Sequence, residues 1–144
     1  MQEGSRALGE GAAIRQRQDR AYFLDLMGDS LGGLDRHEAA IEAYRQAAQA
    51  FEAQGARCSY ALCLFKIADS YLALREPWHA IGYLEASLPL LRELGLVRHV
   101  GLAQRQLAAC QAGLTQAGLP GGRAGQRSDI AVAPFGQIST RRRR

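Results

Sequence analysis

The chain has 144 residues and a mass of 15.7 kDa, which excludes a multi-domain enzyme and leaves one small domain with or without a tail. Ala and Leu supply 44 residues, whereas Val, Ile and Thr supply 11, a balance that favours helix over sheet. The net charge of +4 is uneven: residues 115–144 carry Arg123, Arg127 and Arg141–Arg144 against Asp129, so the remaining body is close to neutral.

At the N-terminus, residues 1–18 contain no basic segment followed by an apolar one, and no apolar run reaches the 18–20 residues of a membrane helix. The expected location is therefore cytoplasmic, with no membrane partner. Residues 1–18 read as a helical extension or the remnant of a preceding repeat.

From residue 19 the chain becomes periodic. Ala21, Leu24, Met27, Gly28, Leu31 and Leu34 recur at three and four, placing them on one face of a helix over 20–34. Phe23 and Leu26 make the same helix apolar on a second side, which calls for cover. Three sources of cover stand side by side: a fold-back of residues 1–18, pairing of two chains, or a preceding part of a longer protein. Asp35 followed by Glu38 reads as a capping box that starts a second helix over 36–54. Its apolar stripe is Ala40, Ile41, Tyr44, Ala47, Ala48 and Phe51, and Gly55 is suited to a left-handed stop.

A shift of 40 residues superposes the chain on itself. Ala21, Leu24, Asp29, Ser30, Leu34, Ala40, Ile41 and Gly55 fall on Ala61, Leu64, Asp69, Ser70, Leu74, Ala80, Ile81 and Gly95. The shift predicts a second helical pair over 58–75 and 77–94, with Pro77 in a first turn and Pro89 kinking the helix interior. A last helix follows over 98–114, where Gln104 and Gln111 replace the repeated Leu64 and Tyr71, as in a solvated cap. Residues 115–144 are rich in Gly and Pro without apolar periodicity and read as a disordered, Arg-rich tail.

The order Leu24, Met27, Gly28, Leu31, Ala40, Tyr44, Ala47, repeated as Leu64, Ile67, Ala68, Tyr71, Ala80, Leu84, Ser87, resembles the tetratricopeptide (TPR) pattern. The resemblance covers about residues 20–114 and implies an all-α solenoid of about two and a half helical hairpins. The period of 40 exceeds the usual 34 of the family. It is similar to the longer repeats of kinesin light chains and of the sensor regions of large bacterial transcription activators.

That resemblance implies a protein or peptide bound in the concave groove of the first helices. The positions it points to are Tyr22, Asp25 and Asp29, then Phe65, Lys66 and Asp69, then Arg105. The spacing 22, 25, 29 and 62, 65, 69 independently makes one stripe beside the core stripe. Acidic residues predominate there, which favours a basic or amphipathic segment over a C-terminal carboxylate. The alternative is that Asp29 and Asp69 only solvate an exposed face. Two further readings are a regulatory or sensor module, including a C-terminal piece of a bacterial regulator, and weak, non-specific contact of Arg141, Arg142, Arg143 and Arg144 with nucleic acid or an anionic surface.

Neither catalysis, a cofactor nor a metal is expected. His37, His79 and His99 are far apart and lack paired carboxylates, and Ser30 and Ser70 have no base nearby in sequence. Cys58, Cys63 and Cys110 lack zinc spacing and are expected to be reduced core thiols.

Overall fold

The computed structural model describes residues 2–117, with side chains over 9–115. Five helices follow one another: α1 (Gln2–Gly33), α2 (His37–Gln54), α3 (Arg57–Ala73), α4 (Pro77–Glu93) and α5 (Val97–Ala117). No strand occurs among the described residues. Turns of two or three residues fold each helix back on the one before, and every consecutive pair packs together.

All four turns use one device. The left-handed residues are Asp35, Gly55, Arg75 and Gly95, with φ of 60°, 73°, 62° and 72°, so they lie twenty residues apart. In the first turn the Asp35 N–H donates to Gly32 O and the Arg36 N–H to Leu31 O. The last turn repeats this with Gly95 to Arg92 O and Leu96 to Leu91 O. Each is a Schellman closure, which satisfies carbonyls that the helix end would leave unpaired. The capping box expected at Asp35 does not form. Asp35 closes α1, Arg36 is the N-cap of α2, and no side chain caps that helix.

Small residues set how closely the helices approach. A Cβ on Gly28 would stand 2.5 Å from the Tyr44 ring, so glycine is required where α1 meets α2. Ala40, Ala61, Ala68 and Ala80 are fully buried beside Ile67, Ile81, Leu84 and Leu91. Ser87 is also fully buried, and its hydroxyl donates to Leu84 O at 3.1 Å, which removes the cost of an unpaired polar group. α4 runs through Pro89 to Glu93. Pro89 and Glu85, whose carbonyl a residue-89 N–H would otherwise satisfy, both lie on the exposed side of the helix, where losing that bond costs least.

Two expectations on the core change. Met27 and Leu34 are exposed, although Ala21, Leu24 and Gly28 of the same stripe are buried. α1 has packed neighbours on fewer sides than α3, so its stripe is only partly covered. Cys58 is exposed, whereas Cys63 and Cys110 are buried. Five helical residues separate Cys58 from Cys63 by more than a third of a turn, which puts them on different faces. Finally, α1 is continuous from Gln2, so the extension and the first repeated helix are one element that overhangs α2.

Candidate binding face on the odd-numbered helices

Of the residues singled out, polar contacts bring Lys66 of α3 together with Asp25 and Asp29 of α1, and join Asp69 of α3 to Gln106 of α5. Lys66 on α3 reaches across to α1, with Nζ 3.0 Å from Asp25 Oδ1 and 3.1 Å from Asp29 Oδ1. The Tyr44 hydroxyl donates to Asp29 Oδ1 at 2.6 Å, and Lys66 Nζ sits 5.5 Å from the Tyr44 ring centroid. One step along, Gln106 on α5 donates from Nε2 to Asp69 Oδ1 on α3 at 3.3 Å. Asp29 and Asp69 are forty residues apart, as are Lys66 and Gln106. The same contact is thus made twice, first between ions and then between an amide and an ion.

This geometry changes the electrostatics read from sequence. Asp25 and Asp29 do not stand as bare acids, because Lys66 neutralises one charge of the pair. Burial opposes the Lys66 charge, but hydrogen bonds and attraction from Asp25 and Asp29 outweigh it and raise its pKa. Burial and the neighbouring carboxylates raise the Tyr44 hydroxyl well above its usual range. Cys63, with Sγ 3.8 Å from Asp25 Oδ1, is pushed up to about 12, chiefly by burial and then by Asp25. The thiol therefore stays protonated and is a poor nucleophile at neutral pH.

Aromatic side chains flank this polar row. Tyr22 is 64% exposed and meets Phe51 of α2 edge-on, with centroids 6.3 Å apart. Phe65 is half-buried and meets His99 edge-on at 5.6 Å. Asp69, Gln104 and Arg105 are exposed. The face therefore combines aromatic edges, two exposed carboxylates (Asp29, paired with Lys66, and Asp69) and a mixed polar rim. Arg141–Arg144 lie outside the described residues, as does nearly all of the expected tail; α5 itself extends to Ala117.

Sequence reasoning missed Tyr44, which it placed in the apolar core. The signal was available, since a tyrosine in a buried stripe needs a partner for its hydroxyl. It also missed a second cluster on the other side of the hairpins. There Arg45 of α2 donates to the Tyr71 hydroxyl at 3.4 Å, and Tyr71 stacks on Tyr83 at 5.7 Å and lies 4.9 Å from His79. His79 also pairs with Glu76, and Trp78 lies half-buried beside it at the start of α4. This cluster ties α2, α3 and α4 together.

Among the described residues no group of three His, Cys, Asp or Glu side chains could hold a metal ion, and no helix is long and apolar enough to cross a membrane. No protein-family model, curated protein or solved structure matches the chain.

Proposed function

We propose that the chain is a non-enzymatic helical-repeat module of the tetratricopeptide kind, and that it binds a protein or peptide segment across α1, α3 and α5. The observation that carries this reading is the doubled contact, Lys66 to Asp29 and Gln106 to Asp69, which sets alternate helices side by side as one surface. Repeat arrays of helical hairpins bind extended partners on such surfaces, because each repeat adds an equivalent strip. The mechanism is equilibrium binding on a pre-formed face, so little ordering cost falls on the protein side.

The chemistry of the face selects the partner. Tyr22 and Phe65 provide apolar contact area, and Asp69, together with the net negative charge left on the Asp25–Lys66–Asp29 group, favours cationic side chains. A basic or amphipathic segment fits both.

Selection of random peptides displayed on phage against the full chain tests this reading. Enriched peptides are expected to carry Lys or Arg next to aliphatic or aromatic residues, and to bind the Asp69→Lys variant at least roughly tenfold more weakly. No enrichment, or enriched peptides that bind Asp69→Lys equally well, would overturn it.

A further inference from the structure

Each turn reverses the chain, so α1, α3 and α5 run in the same direction and their C-terminal ends lie at one end of the array. Asp29 and Asp69 stand four residues before the ends of α1 and α3, at Gly33 and Ala73. Ala109 is forty residues after Asp69, so α5 carries the chain to Ala117, about 12 Å beyond the level of this row at 1.5 Å per residue. The segment that follows α5 therefore leaves from the end of the face that holds the carboxylates.

Counted with its partners, that end remains acidic. At the α1–α3 junction the three acids Asp25, Asp29 and Asp69 stand against the one base Lys66, a net of −2. Asp69 is exposed, and its hydrogen bond from the neutral Gln106 amide leaves its full charge in place. The residues joining the helices there, Asp35 with Arg36 and Arg75 with Glu76, add no net charge. The partial negative charge of the helix C-termini has the same sign. Arg105 of α5 is exposed and opposes a basic ligand, as do Arg15 and Arg98 towards the opposite end of the face. The seat for a basic segment is therefore the α1–α3 junction rather than α5.

The chain carries such a segment itself. Phe135 and Ile138 precede Arg141, Arg142, Arg143 and Arg144, which is the mix of apolar and cationic side chains suited to Tyr22, Phe65 and the carboxylates. Twenty-three residues separate Ala117 from Arg141. A chain of that length spans at most about 80 Å, whereas neighbouring helix axes stand about 8–10 Å apart, so the junction is within reach. Because segment and face belong to one chain, they meet at an effective concentration of about a millimolar, which populates contacts too weak to persist between separate molecules.

We propose that residues 135–144 of the same chain dock on the α1–α3 junction, with the arginines on Asp69 and the Asp25–Lys66–Asp29 group. The proposal rests on the reading of α1, α3 and α5 as a binding surface and adds its regulation: an outside partner must displace the chain's own basic segment.

Amide NMR spectra of the full chain and of a full-length variant carrying Arg141→Ala, Arg142→Ala, Arg143→Ala and Arg144→Ala test this. The four changes leave the sequence of all five helices unaltered, so differences at helix amides report docking. They are expected at Tyr22, Asp29, Phe65 and Asp69, to fade at high salt, and to be largely lost when both chains also carry Asp69→Lys. A synthetic peptide of residues 135–144 should shift the same amides, and should bind the four-fold variant at least roughly threefold more tightly than the wild type. Identical helix amides in the two chains, or differences confined to α2 and α4, would overturn the docking. If the synthetic or a selected peptide still binds through Asp69 in that case, the binding surface stands and only its occupation by the chain itself fails. If no peptide moves these amides, the surface fails with it. Identical helix amides with salt-sensitive polynucleotide binding lost in the variant would overturn the docking and assign the arginines to nucleic acid.

Discussion

Lys66 holds Asp29 across the gap between α3 and α1 at 3.1 Å, in the position that Gln106 holds relative to Asp69 across the next gap at 3.3 Å. One junction uses a full ion pair and the other an amide, although the helices around them are equivalent. The weaker junction also leaves Gln106 Oε1 buried without a hydrogen-bond partner. Gln106→Lys should therefore stabilise the fold by about 0.5 kcal/mol, the usual worth of a half-exposed pair plus relief of the unpaired oxygen. Chemical denaturation would show a higher midpoint at constant slope. A lower midpoint would mean that the two junctions are not equivalent.

Gly28 and Tyr44 form a matched pair. Forty residues on, the corresponding residues are Ala68 and Leu84, both fully buried. The larger ring is thus found with the residue that has no Cβ. Gly28→Ala should destabilise by about 1–3 kcal/mol, despite the better helix propensity of alanine, because the new Cβ meets the ring at 2.5 Å. In the Tyr44→Leu background the same change should cost little or stabilise. A double-mutant cycle without coupling would disprove the pairing. By the same packing logic, Ala80→Leu should lower the melting temperature, since Ala80 is fully enclosed.

The four turns give opposite predictions at their two kinds of residue. A left-handed conformation costs a residue with a Cβ about 1 kcal/mol. Arg75→Gly should therefore raise stability slightly, the gain being reduced by the freedom of glycine in the unfolded chain. Gly95→Ala should lower stability by about 1 kcal/mol, although open space surrounds the position where its Cβ would go. Thermal unfolding of both variants checks the pair of signs.

Alkaline pH should destabilise this fold. The folded-state pKa of Cys63 lies above its ordinary value of 9.0, at about 12, so the unfolded chain loses that proton first. Its contribution is complete below about pH 9 and is lost as pH rises towards 12. The raised Tyr44 and Lys66 act in the same direction, since each holds its proton more tightly when folded. The melting temperature should fall above about pH 9, and more gently in Cys63→Ala. In the native protein a thiol reagent should modify Cys58 quickly and Cys63 and Cys110 slowly.

The helices were legible because their apolar spacing is regular and the glycines at 55 and 95 mark two of the stops. The stops at Asp35 and Arg75 were not legible, because neither residue is a usual left-handed terminator; the fold imposes that conformation through the same pair of backbone hydrogen bonds. The stripe positions of Asp25, Asp29 and Asp69 could be read from periodicity, and Lys66 from the resemblance. Their mutual pairing could not, since it depends on the distance between α1 and α3. That distance follows from packing at Gly28, Tyr44 and the buried alanines, which composition does not reveal. The exposure of Met27 and Leu34 was hidden for a similar reason: a stripe shows that a face wants cover, not whether a neighbour supplies it.

α1, α3 and α5 are proposed to act as one binding surface. The most direct measurement is a two-dimensional amide NMR titration of the full chain with a peptide taken from the phage selection. The strongest shifts are expected on Tyr22, Phe65, Asp69, Arg105 and Gln106, with little change along α2 and α4. Shifts concentrated on the Arg45–Tyr71–Tyr83 cluster, or on Phe23 and Leu26, would contradict it.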